Sequence, residues 1–306
     1  MTRIALVTAR AARGTDFDMP PLLAALRAAG ADADAVAWDD PGTDWSRFDV
    51  AVLRSTWDYV ERLPEFLAWA DCTARHTRLL NPPDVIRWNT DKHYLADLAQ
   101  TGVPVVPGKF VEPGANAGAA VDAFLQHLPG EPPPAGAGIA SRDVVVKPAV
   151  GAGSHDAQRH ACSARDAIVA HVQRLLVKRR SVLLQPYLDR VDAQGETALL
   201  FFNGAFSHAI RKGPLLRRGA PSAAPGHVTE SIAPRTPIAA ELSVARSALD
   251  AIPFTRPLLY ARVDLIHADD GTPRLLELEL TEPSVFVAQA AGAAARLAAA
   301  IVDRAR

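Results

Sequence analysis

Hydrophobic and polar positions change period many times along the chain, and each change predicts an element. Apolar runs at 3–9, 34–38 and 49–56 read as buried strands. Patterns of helical period lie between and after them. One covers 20–30, opened by Pro20-Pro21 and closed by Gly30; others lie near 61–75 and 84–101. Strands alternating with helices predict a parallel sheet, hence an open α/β unit over 1–103. Past it, 112–118 and 129–138 are rich in Pro, Gly and Ala and read as surface connections around a short helix near 118–128. Asp143–Pro148 is a strand ending in Lys147. The helix from Ser163 to about Lys178 takes Ser163 as N-cap, with Asp166 three residues on, and Ser181–Leu188 is a further strand. Asn203-Gly204, set between alternating runs at 195–202 and 205–212, predicts a tight hairpin. Residues 213–235 have no period and read as a mobile loop over the site. A helix near 237–251 follows, then strands at 259–264 and 274–282, and an Ala-rich helix over 285–304.

The last strand pair carries the densest chemistry. Residues two apart share a face of a strand, so Arg262 and Asp264 lie together, as do Glu277 and Glu279. The turn Ala268-Asp-Asp-Gly271 folds one strand onto the other, and three carboxylates and an arginine then meet. Acids that close repel unless a cation sits among them, and hard oxygen ligands suit Mg²⁺. The arginine would face a phosphate held by the same metal. The bland alternative is an exposed hairpin face of solvated charges. Placement of both glutamates inside a leucine run, followed by Thr281-Glu282-Pro283, speaks against it.

Composition narrows the classes. A chain of 306 residues with 49% apolar content can bury a sizeable core, and a net charge of −1 with scattered Lys and Arg gives no footprint for nucleic acid or an anionic membrane. Cys72 and Cys162 have no metal-ligand spacing. The N-terminus runs straight into a strand pattern and no apolar stretch is long enough to span a bilayer, so a soluble, cytoplasmic protein is expected. Oligomeric state is left open, a homo-oligomer included.

Two loops add candidates. Ala149–Asp156, with Gly151, Gly153 and Ser154, follows Lys147 and is small enough for its backbone N–H groups to close on phosphate oxygens; alone, it could equally be a hairpin turn. Arg54-Ser55-Thr56-Trp57-Asp58-Tyr59 stands at the carboxyl end of a strand, where open α/β sheets bind ligands. It reads either as a small polar substrate site or as packed aromatics with Asp58 capping a helix. The acids Asp16 and Asp18 read as partners of a helix dipole rather than of substrate.

In this order, Asn89-Thr-Asp-Lys92, Val145-Val-Lys147-Pro, Gln185-Pro-Tyr-Leu188, Gly195-Glu196, Arg262, Asp264, Glu277 and Glu279 resemble the ATP-grasp superfamily of carboxylate ligases over most of the chain. The resemblance implies a mixed α/β and α+β ATP-grasp fold of three subdomains (1–103, a central lid 104–186, and 187–306), with ATP between the lid and the C-terminal domain. It implies that Lys92 and Lys147 contact ATP phosphates under the loop of Gly151, Gly153 and Ser154. Gln185, Tyr187 and Leu188 would hold adenine, and Glu196 the ribose. Asp264, Glu277 and Glu279 would ligate Mg²⁺, and Arg262 and Arg211 would bind the transferring phosphate. Many members place Asn where Glu279 stands, so this chain carries an extra charge there. Arg54–Tyr59 and Leu276–Ser284 are most similar to the glutathione-synthetase-like branch, and within it to the D-cycloserine synthetase family. That likeness implies a small amino-acid substrate, O-ureido-D-serine, framed by Ser55, Thr56, Trp57, Asp58, Glu282 and Ser284. Its carboxylate would be phosphorylated and then attacked from within the same molecule. An intermolecular ligase joining a carboxylate to an amine is the alternative, and a non-catalytic nucleotide-binding protein a further one.

Overall fold

The computed structural model describes residues 1–128, 143–216, 231–254 and 258–306. The first unit comprises β1 (Arg3–Thr8), α1 (Met19–Ala28), β2 (Asp32–Ala37), β3 (Val50–Ser55), α2 (Leu63–Thr73), β4 (Arg78–Leu80), α3 (Pro83–Asn89) and α4 (Tyr94–Gln100). Its four strands pair in parallel in the order β2-β1-β3-β4. The single helix expected over 84–101 is two, broken at 90–93. Tertiary bonds replace helical ones there: the Asn89 amide donates to Leu278 O and accepts from Leu280 N, while Lys92 N donates to Ala149 O. The short β4 carried no readable period.

The central unit holds β5 (Lys109–Val111), α5 (Ala117–Gln126), β6 (Asp143–Pro148), β7 (Gln158–Ala161), α6 (Arg165–Val177) and β8 (Val182–Pro186). Its antiparallel sheet runs β5-β8-β6-β7, with α5 and α6 burying Val121, Ile168, Val172 and Leu175 against Val144, Val146 and Leu184. Ser163 does not cap α6, which begins at Arg165 without a side-chain cap; Asn116 does cap α5, accepting from Ala119 N. The connection expected over 129–138 lies outside the described residues.

Behind β7 lies a buried histidine pair. His160 Nε2 meets His171 Nδ1 at 3.0 Å, and His171 Nε2 donates to Asp156 O at 3.2 Å. Burial, with Arg174 nearby, pushes His171 down to about 4. Above the unfolded value of about 6.5 both states are neutral and nothing changes. Between that value and about 4 the unfolded chain binds a proton that the folded chain refuses, so stability falls as the pH falls. The loss is on the order of 3 kcal/mol. Denaturant midpoints taken from pH 7 to pH 4 should fall less steeply for His171→Gln than for wild type; parallel slopes would refute the assignment.

The third unit contains α7 (Arg190–Gln194), β9 (Glu196–Phe202), β10 (Ala205–Lys212), β11 (Ile232–Arg235), α8 (Ala239–Asp250), β12 (Tyr260–His267), β13 (Pro273–Glu279) and α9 (Ala293–Ala305). Its antiparallel sheet is ordered β11-β10-β9-β12-β13. Asn203 and Gly204 turn the β9–β10 hairpin with φ of 49° and 78°, as the sequence predicts. The loop expected over 213–235 is shorter than that, because 232–235 pair with β10; residues 217–230 lie outside the described residues. The last helix starts at 293 rather than 285. Both Asp18 carboxylate oxygens are used on the backbone N–H groups of Val285, Phe286 and Val287, which holds that stretch out of helical geometry. This also corrects Asp18, which makes no side-chain cap to α1.

Ile4, Leu6 and Val52 share one core with Leu200, Phe202, Leu297 and Ile301, so the first and third units are fused. The central unit keeps its own core. Between its sheet and the third unit runs a cleft, bridged by Val106, Tyr187, Leu188, Val191, Ile266 and Leu276. Among the described residues no helix is long and apolar enough to cross a membrane.

Candidate active site

The β12–β13 register sets Arg262 opposite Glu279 and Asp264 opposite Glu277, so the expected patch forms at the inner end of the cleft. Four cations converge on it. Arg262 binds Asp264 at 2.9 Å, also binds Glu279, and donates to Ser284 O. Lys212 Nζ lies 2.8 Å from both Asp264 and Glu196. Lys92 Nζ lies 2.9 Å from Glu277 and donates to Gly151 O, and Lys147 is buried beside them at the end of β6. Burial opposes the charge on Asp264, yet Arg262 and Lys212 outweigh it and hold its carboxyl down to about 2. Glu279 goes the other way: burial, opposed by Arg262 and reinforced by Asp264 and Glu277, pushes it up to about 7. Burial likewise brings Lys147 down to about 8 against the pull of Glu277.

Among the described residues no three His, Cys, Asp or Glu side chains close into a metal cage. Asp264, Glu277 and Glu279 instead each face a lysine or arginine. The donor set nonetheless fits Mg²⁺: three hard carboxylates lie together, two of them partly open to the cleft.

The small-residue loop roofs this end of the cleft through Gly151, Gly153 and Ser154, the last two at positive φ. Arg180 donates to Val150 O, and Asp156 is clamped by Arg174 at 2.8 Å and Arg180 at 2.7 Å. Toward the outer end Val145, Leu188, Ile266 and Leu276 make apolar walls. Gln185 lies between them, its amide nitrogen donating to Val106 O and its buried oxygen without a partner, an acceptor suited to an exocyclic amine. Tyr187 lines the cleft, but one face of its ring is covered by the Arg159 guanidinium at 3.5 Å.

Three expected residues are placed differently. Arg211 donates to Gln194 O and Ala193 O and does not line the cleft; its neighbour Lys212, on the other face of β10, carries the charge in the site. Alternation marked both residues, but nothing in the sequence says which face of β10 is inward. Gly195 is required beside them: a Cβ there would stand 2.3 Å from Lys212 O. Ser55 donates to Thr8 Oγ1, and Asp58 accepts from Trp38 Nε1 and Arg62, so both are taken up in packing the first unit. The other substrate candidates gather where that unit meets β13. Thr56 is fully buried and its hydroxyl has no partner, Trp57 Nε1 donates to Glu282 O, and Glu282 and Ser284 follow directly on the acid patch. Tyr59, the last residue of the Arg54–Tyr59 stretch and outside the expected substrate set, faces Glu282 there.

The N-terminal domain family of D-cycloserine synthetase DcsG matches residues 4–81. The cycloserine biosynthesis protein DcsG of Streptomyces lavendulae is 41% identical over 305 residues, covering 98% of each chain. A crystal structure of D-cycloserine synthetase DcsG superposes with a TM-score of 0.90 at 41% identity, over 99% of this chain and 100% of that one. The ATP-grasp ligase PsnB complexed with minimal precursor, Mg and ADP matches with a TM-score of 0.62 at 17% identity, over 99% and 98% of the two chains. The ATP complex of D-alanine–D-alanine ligase from Bacillus anthracis gives 0.63 at 14% identity, over 100% and 97%. The last two share the fold.

Proposed function

The chain belongs to the D-cycloserine synthetase family and is a ligase of ATP-grasp fold, and we propose that it cyclises O-ureido-D-serine to D-cycloserine at the expense of ATP. In this reading 1–103, 104–186 and 187–306 act as three subdomains, and ATP lies in the cleft between the second and third. Gln185 and Leu188 take the adenine, and Glu196 lies where the ribose would be. Lys92, Lys147 and the loop of Gly151, Gly153 and Ser154 hold the phosphates. Asp264, Glu277 and Glu279 would hold Mg²⁺, which when bound neutralises charge on the phosphoryl group in transit.

The protein's own side chains do the rest by placement. Arg262 and Lys212 stand at the patch where the substrate carboxylate must meet the terminal phosphate. The carboxylate takes the phosphoryl group and becomes an acyl phosphate, with ADP leaving. The nitrogen bonded to the side-chain oxygen then attacks the acyl carbon and phosphate departs. Hydrolysis frees the carbamoyl group as CO₂ and ammonia. The observation that carries this reading is the convergence of Lys92, Lys147, Lys212 and Arg262 on three acids at the inner end of one cleft. Burial of Thr56, Tyr59 and Glu282 beyond those acids favours a small substrate over a second, separate one.

Phosphate release from Mg²⁺-ATP with O-ureido-D-serine, beside free amino acids and dipeptides, tests it with products read by mass spectrometry. The expected product is lighter than O-ureido-D-serine by carbamic acid. Turnover only with two substrates together would make the protein an intermolecular ligase. No turnover with any of them would leave a nucleotide-binding protein.

A further inference from the structure

One buried acid in this region has no cation among the described residues. Glu282 is 8% exposed, and among the described residues no lysine, arginine or histidine forms an ion pair with it, whereas Asp264, Glu277 and Glu279 are all paired. Its main chain is fixed on every side. Tyr260 donates to Thr281 O, Trp57 to Glu282 O, Arg54 to Pro283 O and Arg262 to Ser284 O. Its carboxyl faces the Tyr59 hydroxyl. The Tyr59 ring is itself locked, stacked on Phe66 with centroids 5.1 Å apart. Lys92 is near enough to be felt but is committed to Glu277 and Gly151 O. A buried carboxyl can carry its charge only beside a cation, so one held this rigidly with none among the described residues points to a partner that arrives with the ligand.

The chemistry says which partner. The substrate carboxylate has to reach the terminal phosphate beside Glu277 and Glu279. In an α-amino acid the ammonium sits on the adjacent carbon, so its anionic counterpart must lie next to those acids, on the side away from the nucleotide cleft. Glu282, three residues past Glu279 and facing Tyr59 of the first unit, is the acid in that place. We propose that Glu282 receives the α-ammonium of the substrate and that Tyr59 is a positioning residue that orients its carboxylate. The inference rests on the amino-acid reading given above. It adds a specificity: ligands with a carboxylate but no α-amine are rejected. Burial, followed by the repulsion of Glu279, pushes the Glu282 carboxyl up to about 8, the behaviour of an acid whose cation is not yet bound.

The test compares kcat/KM for O-ureido-D-serine with that for its deamino counterpart, 3-(ureidooxy)propanoate, in the presence of Mg²⁺-ATP. Wild type should prefer the amine-bearing compound by roughly 100-fold or more, and Glu282→Gln should lose at least about 30-fold of that ratio through a raised KM for the amino acid, with KM for ATP unchanged. Tyr59→Phe keeps the stack on Phe66 and should lose roughly three- to tenfold. A merely structural role would depress both substrates alike and leave the ratio standing, which overturns the proposal. So does a fall in kcat with KM unchanged, which would place Glu282 at the attacking nitrogen. If Glu282→Gln does not fold, the ratio in Tyr59→Phe decides by the same criterion. Wild-type enzyme that turns over no amino acid sinks the cyclisation reading and this inference together. Wild-type turnover with an unchanged ratio in Glu282→Gln sinks the inference alone.

Discussion

Glu277→Gln is expected to lower Mg²⁺-dependent phosphate release by roughly 10³-fold or more while the folded protein persists, because charge placed at the transferring phosphate dominates such reactions. Glu277 is the carboxylate on which both phosphate-side lysines depend. It holds Lys92 at 2.9 Å, and it opposes the burial that drives Lys147 toward neutrality. An amide there keeps the shape of the side chain and removes the charge. Lys92 then loses its ion pair but keeps its bond to Gly151 O, and the change in unfolding free energy should stay near 1 kcal/mol, the scale of one partly exposed pair. Two residues away the outcome should differ. Glu279→Asn keeps an oxygen facing Arg262 and the cleft and leaves Asp264 and Glu277 charged, so activity should survive within roughly tenfold. Phosphate release measured on both variants, beside circular dichroism, decides the matter. Wild-type turnover in Glu277→Gln would show that this strand does not hold the metal.

The second large effect falls on stability. Arg54 is fully buried between Asp18 at 3.6 Å and Asp16 at 4.0 Å, and it donates to Pro283 O. Arg54→Met removes the charge and leaves two buried carboxylates facing each other, a loss of about 3–5 kcal/mol. Urea unfolding measures it directly, and a loss below about 1 kcal/mol would mean that the acids find other partners or protonate without strain. The damage should be local as well as global. Asp18 binds the N–H groups of 285–287, so amide exchange along 283–287 should rise ahead of the rest of the core. Because Glu282 adjoins this segment, substrate binding should suffer more than ATP binding.

Much of the architecture was readable one strand at a time. Val50–Ser55, Asp143–Pro148 and the Asn203-Gly204 hairpin carry period or turn chemistry that few other local structures satisfy. Short elements such as Arg78–Leu80 and Gln158–Ala161 did not show, since three or four residues cannot display a period. Boundaries failed where tertiary bonds override propensity: Asn89 bridging to β13 splits a helix, and Asp18 delays α9 by eight residues. At the site, the meeting of Arg262, Asp264, Glu277 and Glu279 was legible because alternation and one turn suffice to bring them together. Lys212 was not, since Arg211 and Lys212 differ only in which face of β10 they take, and that is set by what packs on each face. Ser55 and Asp58 misled for a related reason: hydroxyl and acid look alike in sequence whether they face a ligand or a neighbouring side chain.

The sequence by itself determined the parallel sheet of the first unit, the Asn203-Gly204 hairpin and the acid hairpin, because periodicity and turn residues are local properties written along one strand or loop, and the order of its motifs carried the likeness to the ATP-grasp class. Only the tertiary structure decided that Lys92 and Lys212 pair with those acids, that Arg54 and Asp18 fasten the chain beyond β13, and that Glu282 is buried beside Tyr59 with no cation among the described residues. These contacts join residues from about 50 to nearly 270 positions apart, where distance depends on how the sheets pack and no local pattern records it.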